Sequence, residues 1–289
     1  MNCKRADQKR ILIFLAMTFS VSYIYGALCS FNETEHNIDH YMVHVFMLFP
    51  TLCALLTKFL TKEKVLTETE LDGKCVKYTV IGWYLIFGIM VLGYAVFFCI
   101  HPEQLASSEK ILSFKHAAIG RAFILPMIWD GLWMLMSEEY GWRGFLLPKL
   151  TRTMGVVPAT VVIGIIWAVW HIPLLVKESP LTAMSHLLVP SGSWVGYFFL
   201  GYIPLCISIS MLISFVTLKA RSPLPAAFLH ACYNGVVAEL VEIHNANPAG
   251  AGVFTLDHPW YYCIVLMIVV GIPMMIHLYK LEKRGELIV

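Results

Sequence analysis

The chain has 289 residues, of which 58% are hydrophobic and only 14% are charged. A soluble domain carries about 25% charged residues, so this composition excludes a water-soluble globular protein. The formal net charge of +2 gives no indication of a nucleic-acid partner, and we expect none.

The apolar residues form blocks of roughly 20, the length that crosses a bilayer as a helix. In lipid the backbone must satisfy its own hydrogen bonds, so each block is interpreted as a helix. We predict an all-α fold, a polytopic transmembrane bundle of about eight spans in a single integral-membrane domain, 1–289. In chain order the spans are about 11–31, 41–60, 79–100, 119–139, 157–176, 194–218, 224–242 and 259–279.

The basic residues predict how these spans are oriented. With eight spans and both termini in the cytoplasm, 17 of the 21 Lys and Arg lie on the inner side. The other four are Lys110, Lys115, Arg121 and Lys177. Basic residues occur at span ends, where lipid headgroups account for them, so membrane lipid is the expected partner. The first span lacks a small-x-small cleavage site, and we expect it to be retained rather than removed as a signal peptide.

Ionisable side chains are costly inside a span, roughly 2.5–3.5 kcal/mol each at its centre, and are therefore functional candidates. The first cluster, 137–144, lies at the inner end of the fourth span. Glu139 and Arg143 are four residues apart and share a helix face, so they can neutralise each other. Glu138 lies about 100° away on the helix and has no local partner. The alternative is an interfacial Glu–Arg cluster that merely ends a helix.

Two further clusters lie in the fifth and seventh spans. Trp167 precedes His171 by one turn and provides an aromatic wall that excludes water from the imidazole. His230 and Asn234 share a face and can offer two hydrogen-bond donors to a developing negative oxygen. The alternatives are a lone structural histidine in the fifth span and polar helix–helix contacts in the seventh.

These clusters reach a common depth only if the fourth helix is longer than its hydropathy indicates. At 1.5 Å per residue, Glu138 would lie about 15 Å from the inner surface if the helix continued to near Lys149. We therefore predict that it continues through Gly141 and Gly144. The fourth, fifth and seventh spans then meet around a polar pocket, which places the catalytic part at about 119–242.

The three clusters resemble the motifs E-E-x-x-x-R, F-x-x-x-H and H-x-x-x-N of the CPBP family. This family comprises intramembrane glutamate proteases of the CAAX-processing and bacteriocin-processing (Abi) type. Glu138, Glu139 and Arg143 match the first motif, and His230 and Asn234 match the third. The second is matched by His171 alone, because Trp167 stands where Phe is usual.

The resemblance implies an intramembrane endopeptidase that acts on membrane-associated peptides or proteins of unknown identity. In its terms Glu138 is the general base, helped by His171, and His230 and Asn234 form the oxyanion site. The supporting residues are Glu139, Arg143 and Trp167. The form of the first motif resembles that of bacterial members, so a prokaryotic plasma membrane is expected.

Alternatives to this metal-free protease remain open. Glu138, His171 and His230 are also the residue types of a two-His, one-Glu zinc site. However, the sequence has no H-E-x-x-H, and Asn234 is a weak zinc ligand, so we expect no cofactor and keep zinc as the alternative. Other functional classes are a non-enzymatic immunity or scaffold protein and a small transporter with a proton relay. The crowding of ionisable residues into one half disfavours the transporter.

Overall fold

The computed structural model describes residues 2–30, 36–64, 72–105, 124–175, 198–242 and 258–289. Helices make up 91% of this described part, which forms no β-strand. The predicted all-α fold is therefore confirmed. The chain is an integral membrane protein whose core consists of apolar side chains from packed helices.

The helices follow the predicted order of the apolar blocks. Most are α-helical, and two stretches have the wider π-helical turn, in which the hydrogen bonds run from i to i+5. The π-helical stretches are Leu135–Leu146, called here the π segment, and Phe198–Tyr202. The α-helices are α1 Asn2–Ser30, α2 His36–Leu60, α3 Gly73–Ile100, α4 Ile124–Met134, α5 Leu147–Met154, α6 Val156–Trp170, α7 Ile172–Leu175, α8 Ile203–Ala220, α9 Leu224–Glu242 and α10 Pro259–Lys283.

Five helical stretches of the described part are long and apolar enough to cross a membrane. They are Lys4–Cys29, Met42–Leu60, Gly73–Ile100, Phe198–Ala220 and Pro259–Lys283. Helix α6 is apolar but shorter. Each predicted span overlaps helix among the described residues, and residues 31, 119–123, 176 and 194–197 of these spans lie outside that part. The exact count of eight spans stays a prediction. The single-domain organisation and the catalytic part at about 119–242 also stay predictions.

Several helices extend beyond the hydropathy boundaries. Helix α3 begins at Gly73, six residues before the predicted start, because the side chain of Asp72 accepts hydrogen bonds from the backbone N–H groups of Lys74 and Cys75. Such an N-cap satisfies donors that have no partner within the helix. Polar residues therefore belong to this helix although they lower its hydropathy.

The fourth predicted span does continue past its hydropathy boundary. Helix α4 leads directly into the π segment, which leads into α5 and ends only at Met154. The predicted extension to near Lys149 is thus confirmed. The change to a π-helical turn was not predicted.

Basic residues at one end of the bundle bind carboxylates rather than only lipid. Arg152 Nε lies 2.8 Å from the carboxylate of Asp7 in α1. Lys149 and Arg10 both reach Glu63, which follows α2, at 2.9 and 3.2 Å. The interpretation of these cations as headgroup contacts was therefore incomplete. They connect α1 and α2 to the helix that carries the first motif.

Helix α1 covers a break in α6. The ring of Pro173 cannot supply the N–H that the carbonyl of Val169 needs for a helical bond, and the Tyr23 hydroxyl donates to that carbonyl at 2.7 Å instead. Trp170 donates its indole N–H to Ser22 Oγ at 2.8 Å. These contacts close the N-terminal helix against the end of α6.

The π segment packs closely on α2 at Gly141. A Cβ atom placed on Gly141 would lie 2.5 Å from the carbonyl carbon of Pro50. Because the obstacle is backbone, it cannot turn away as a flexible side chain would. The close approach of the two helices therefore requires glycine at this position.

We expect Gly141→Ala to destabilise the protein by about 1–3 kcal/mol, the usual cost of overpacking a core. Thermal unfolding of the detergent-purified protein measures the effect. Gly88→Ala in α3 is the matched control, since a Cβ there meets nothing within 4 Å and helix propensity favours alanine by about 1 kcal/mol. Equal melting temperatures for the two variants would contradict the packing argument.

Candidate active site

The π segment carries both carboxylates of the first motif into the protein interior. Glu138 and Glu139 are 2% and 0% exposed, and Arg143 is also fully buried. A wide turn of this kind is rare and often occurs at functional sites. The structure therefore places three ionisable groups of one short segment out of contact with water.

Glu139 Oε1 accepts two hydrogen bonds. Arg143 Nη1 donates from the same segment at 2.8 Å, as the four-residue spacing predicted. His230 Nδ1 lies 2.8 Å from the same oxygen and donates from α9. Because a carboxylate oxygen accepts, Nδ1 carries a proton, and Nε2 is the other titratable position of the ring.

Arg143 has further partners that the sequence did not indicate. Its Nη2 atom donates to Ser210 Oγ of α8 at 3.3 Å. Its guanidinium carbon lies 4.5 Å from the centre of the Trp167 ring, which is a favourable cation–π distance. Sequence reasoning missed Ser210, and the only signal was a small polar residue within an apolar helix.

Glu138 is held by a different helix. Trp167 Nε1 of α6 donates to Glu138 Oε2 at 2.9 Å. The indole of Trp167 therefore supplies a donor as well as the expected aromatic surface. Glu138 has this partner on another helix, 29 residues away along the chain. This bond engages Oε2 and leaves Oε1 as the oxygen that can accept a proton.

His171 lies at the C-terminal end of α6, where Pro173 interrupts the helix. Within the predicted span 157–176, helix α6 ends at Trp170 and α7 begins at Ile172, while residue 176 lies outside the described residues. His171 Nδ1 lies 2.8 Å from the carbonyl oxygen of Trp167. A carbonyl only accepts, so Nδ1 donates, and the neutral ring has its lone pair on Nε2.

Asn234 lies one turn after His230 on α9. Both side chains face the continuous helix that α4 and the π segment form. The Asn234 Nδ2 atom lies 3.8 Å from the sulfur of Met134, one turn before Glu138. Sulfur is a weak acceptor, so this amide can turn to a stronger one at little cost. His230 itself packs edge-on against Trp167, with ring centres 5.1 Å apart.

The structure thus brings the motif residues of the π segment, α6 and α9 together around Trp167. Glu138 bonds its indole, and the rings of His171 and His230 lie 5.4 and 5.1 Å from it. This is the convergence that the three sequence clusters predicted.

Known proteins are similar to this chain over a range that includes these motif residues. A family model described as type II CAAX prenyl endopeptidase Rce1-like matches residues 120–236. The chain is 24% identical over 242 residues to "CAAX prenyl protease 2" of Methanococcus maripaludis, covering 80% of this chain and 84% of that protein. The chain is thus similar to CAAX-type proteases over these residues. This similarity supports an intramembrane endopeptidase activity.

The side chains of this site can be compared with the needs of a metal ion. His171 and His230 each bind a protein oxygen through Nδ1, which leaves Nε2 as the ring nitrogen that could bind a metal. Within the part of the chain that the structure describes, however, no three His, Cys, Asp or Glu side chains lie together closely enough to hold one. Glu138, His171 and His230 are not grouped as metal ligands in this arrangement, and the absence of a cofactor stays a prediction.

We expect the two adjacent glutamates of the CPBP motif to differ in their structural importance. Glu139→Ala leaves a buried arginine unpaired, which costs about 3–5 kcal/mol. Glu138→Ala removes one hydrogen bond to the Trp167 indole, which costs about 1–3 kcal/mol. Thermal unfolding in detergent should therefore rank Glu139→Ala clearly below Glu138→Ala. The reverse order would contradict the assigned ion pair.

Proposed function

We propose that the chain is an intramembrane endopeptidase that hydrolyses a peptide bond with a water molecule activated by Glu138 and His171. The observation that carries the proposal is the division of labour between the two carboxylates. Glu139 Oε1 accepts from both Arg143 and His230, whereas Glu138 accepts through Oε2 from the neutral indole N–H of Trp167. An ionised carboxylate with a second oxygen available is what a general base requires.

In the first step Glu138 Oε1 takes a proton from the water as the water oxygen attacks the scissile carbonyl carbon. His171 Nε2 accepts a hydrogen bond from the second O–H of the water, which keeps its proton. This bond orients the attacking lone pair of the water oxygen. The assigned tautomer of His171 supports this function, because Nδ1 is already bound to the Trp167 carbonyl. A new C–O bond forms, and the carbonyl electron pair moves onto oxygen.

The negative oxygen of this tetrahedral intermediate is stabilised by His230 and Asn234. Asn234 supplies an amide N–H. In the described structure this amide contacts only the weakly accepting sulfur of Met134. His230 donates from Nε2 when the ring carries a second proton, and the carboxylate of Glu139 then balances the imidazolium charge. Preorganised donors of this kind act where water is excluded, and removing one costs roughly 10²–10³-fold in kcat.

The intermediate collapses by breaking the C–N bond. Glu138, now a carboxylic acid, returns its proton to the leaving nitrogen. The products are a new carboxyl terminus and a free amine, and the site regains its starting protonation. No cofactor is needed for this sequence of proton transfers.

The substrate is proposed to be a membrane-associated peptide or protein. The similar archaeal protein is named a CAAX prenyl protease, which supports a prenylated C-terminal CAAX peptide as the first probe. We also propose a prokaryotic plasma membrane with both termini in the cytoplasm. The inner side would then carry 17 of the 21 basic residues.

Glu138→Gln should abolish cleavage while the protein folds. We expect a loss of about 10²–10⁴-fold in kcat, since an amide cannot take the proton. The measurement uses a quenched fluorescent, farnesylated CAAX peptide and its non-farnesylated counterpart. Membrane proteomics of cells that produce either form extends the search to other cleaved peptides.

An unchanged cellular phenotype in Glu138→Gln cells would contradict the proposal. It would favour the non-enzymatic immunity or scaffold function instead. Thermal unfolding of the purified variant provides the control for correct folding.

Cleavage by the purified protein should persist with o-phenanthroline, within about twofold, because the proposed steps use only protein groups. Metal analysis of the same preparation accompanies the assay. Stoichiometric zinc together with loss of activity on chelation would overturn the metal-free mechanism.

A further inference from the structure

Trp167 contacts several of the motif residues of the site. It is 4% exposed and belongs to α6. Its indole N–H donates to Glu138 at 2.9 Å, and Arg143 lies over its ring at 4.5 Å. Its backbone carbonyl accepts from His171 Nδ1 at 2.8 Å. A residue that only excluded water would need none of these polar contacts.

Two adjacent buried carboxylates create a competition for the same cations. Arg143 can neutralise either Glu138 or Glu139, and His230 can offer a hydrogen bond to either. In the structure both bind Glu139. The Trp167 N–H gives Glu138 a neutral donor, which satisfies one oxygen without adding a positive charge.

We propose that Trp167 is a positioning residue that decides which of the two glutamates acts as the base. This inference rests on the proposed function. Its indole N–H holds Glu138 Oε2 and thereby presents Oε1 to the water. Its carbonyl fixes the ring of His171, so one residue orients both groups that activate the water. A phenylalanine at this position would keep the carbonyl but would have no side-chain donor.

Trp170 provides a matched comparison on the same helix. It is fully buried, and its ring lies 4.7 Å from that of His171. Its indole N–H donates to Ser22 instead of to a motif residue. Replacing either tryptophan with phenylalanine keeps an aromatic ring and removes one buried N–H donor.

The kinetic test compares Trp167→Phe and Trp170→Phe with the farnesylated CAAX peptide. We expect Trp167→Phe to lower kcat by about 10- to 100-fold, the usual range for a hydrogen bond to a charged group, with KM changed by less than about threefold. Trp170→Phe should lose less than about threefold in kcat. Equal effects of the two substitutions on kcat would overturn the inference and reduce Trp167 to a packing residue.

A spectroscopic test needs no substrate. The protein has eight tryptophans, and each gives one indole ¹⁵N–¹H signal in the spectrum of the detergent-solubilised protein. The signal that is missing in Trp167→Phe belongs to Trp167. A carboxylate acceptor shifts this signal downfield, so Glu138→Ala should move it upfield. Asn234→Ala, an oxyanion-site variant without a contact to the indole in the described structure, should leave it in place. An unmoved signal in Glu138→Ala would overturn the inference.

The two proposals fail in distinguishable ways. An active Glu138→Gln variant removes the proposed function whatever the tryptophan signal does. An inactive Glu138→Gln variant combined with a fully active Trp167→Phe variant removes only the positioning of Glu138.

Discussion

The carboxylate of Glu139 provides the contact on which the arrangement of the site depends. It is completely buried and accepts hydrogen bonds from Arg143 within its own segment and from His230 of α9. Moving an unpaired ion out of water costs several kcal/mol. The bilayer core contains no water that could replace a lost partner. This cost fixes α9 against the π segment and selects the register in which His230 and Asn234 reach the site.

The π segment and its surroundings support that contact. The wide turn is locally less favourable than an α-helix, so tertiary contacts must stabilise it. The close packing of Gly141 on Pro50 supplies one, and the bond of Arg143 to Ser210 supplies another. The neighbouring carboxylates of this segment then have different partners, because Trp167 binds Glu138 and Arg143 binds Glu139.

Much of this could be predicted from the sequence because it depends on local spacing or on composition. Apolar block length gave the helices, and the four-residue interval gave the pair of Glu139 with Arg143. The depth argument gave the continuation of the fourth helix. The remaining features depend on which helices become neighbours. Neither the indole donor of Trp167 nor Ser210 belongs to a spacing pattern, and the ion pair of Asp7 with Arg152 joins residues 145 positions apart. The π turn escaped prediction because helical spacing was read with the 3.6-residue period throughout.

The Tyr23 hydroxyl on the Val169 carbonyl gives the N-terminal helix a task that its apolar composition hides. Together with the bond from Trp170 to Ser22, it supplies hydrogen-bond partners exactly where Pro173 interrupts α6 beside His171. Both partners lie outside residues 120–236, the range shared with the protease family model. A fragment limited to that range would present an orphan carbonyl and an orphan indole N–H to hydrocarbon. Residues 120–236 therefore depend on α1 for two hydrogen-bond partners that lie outside their own range.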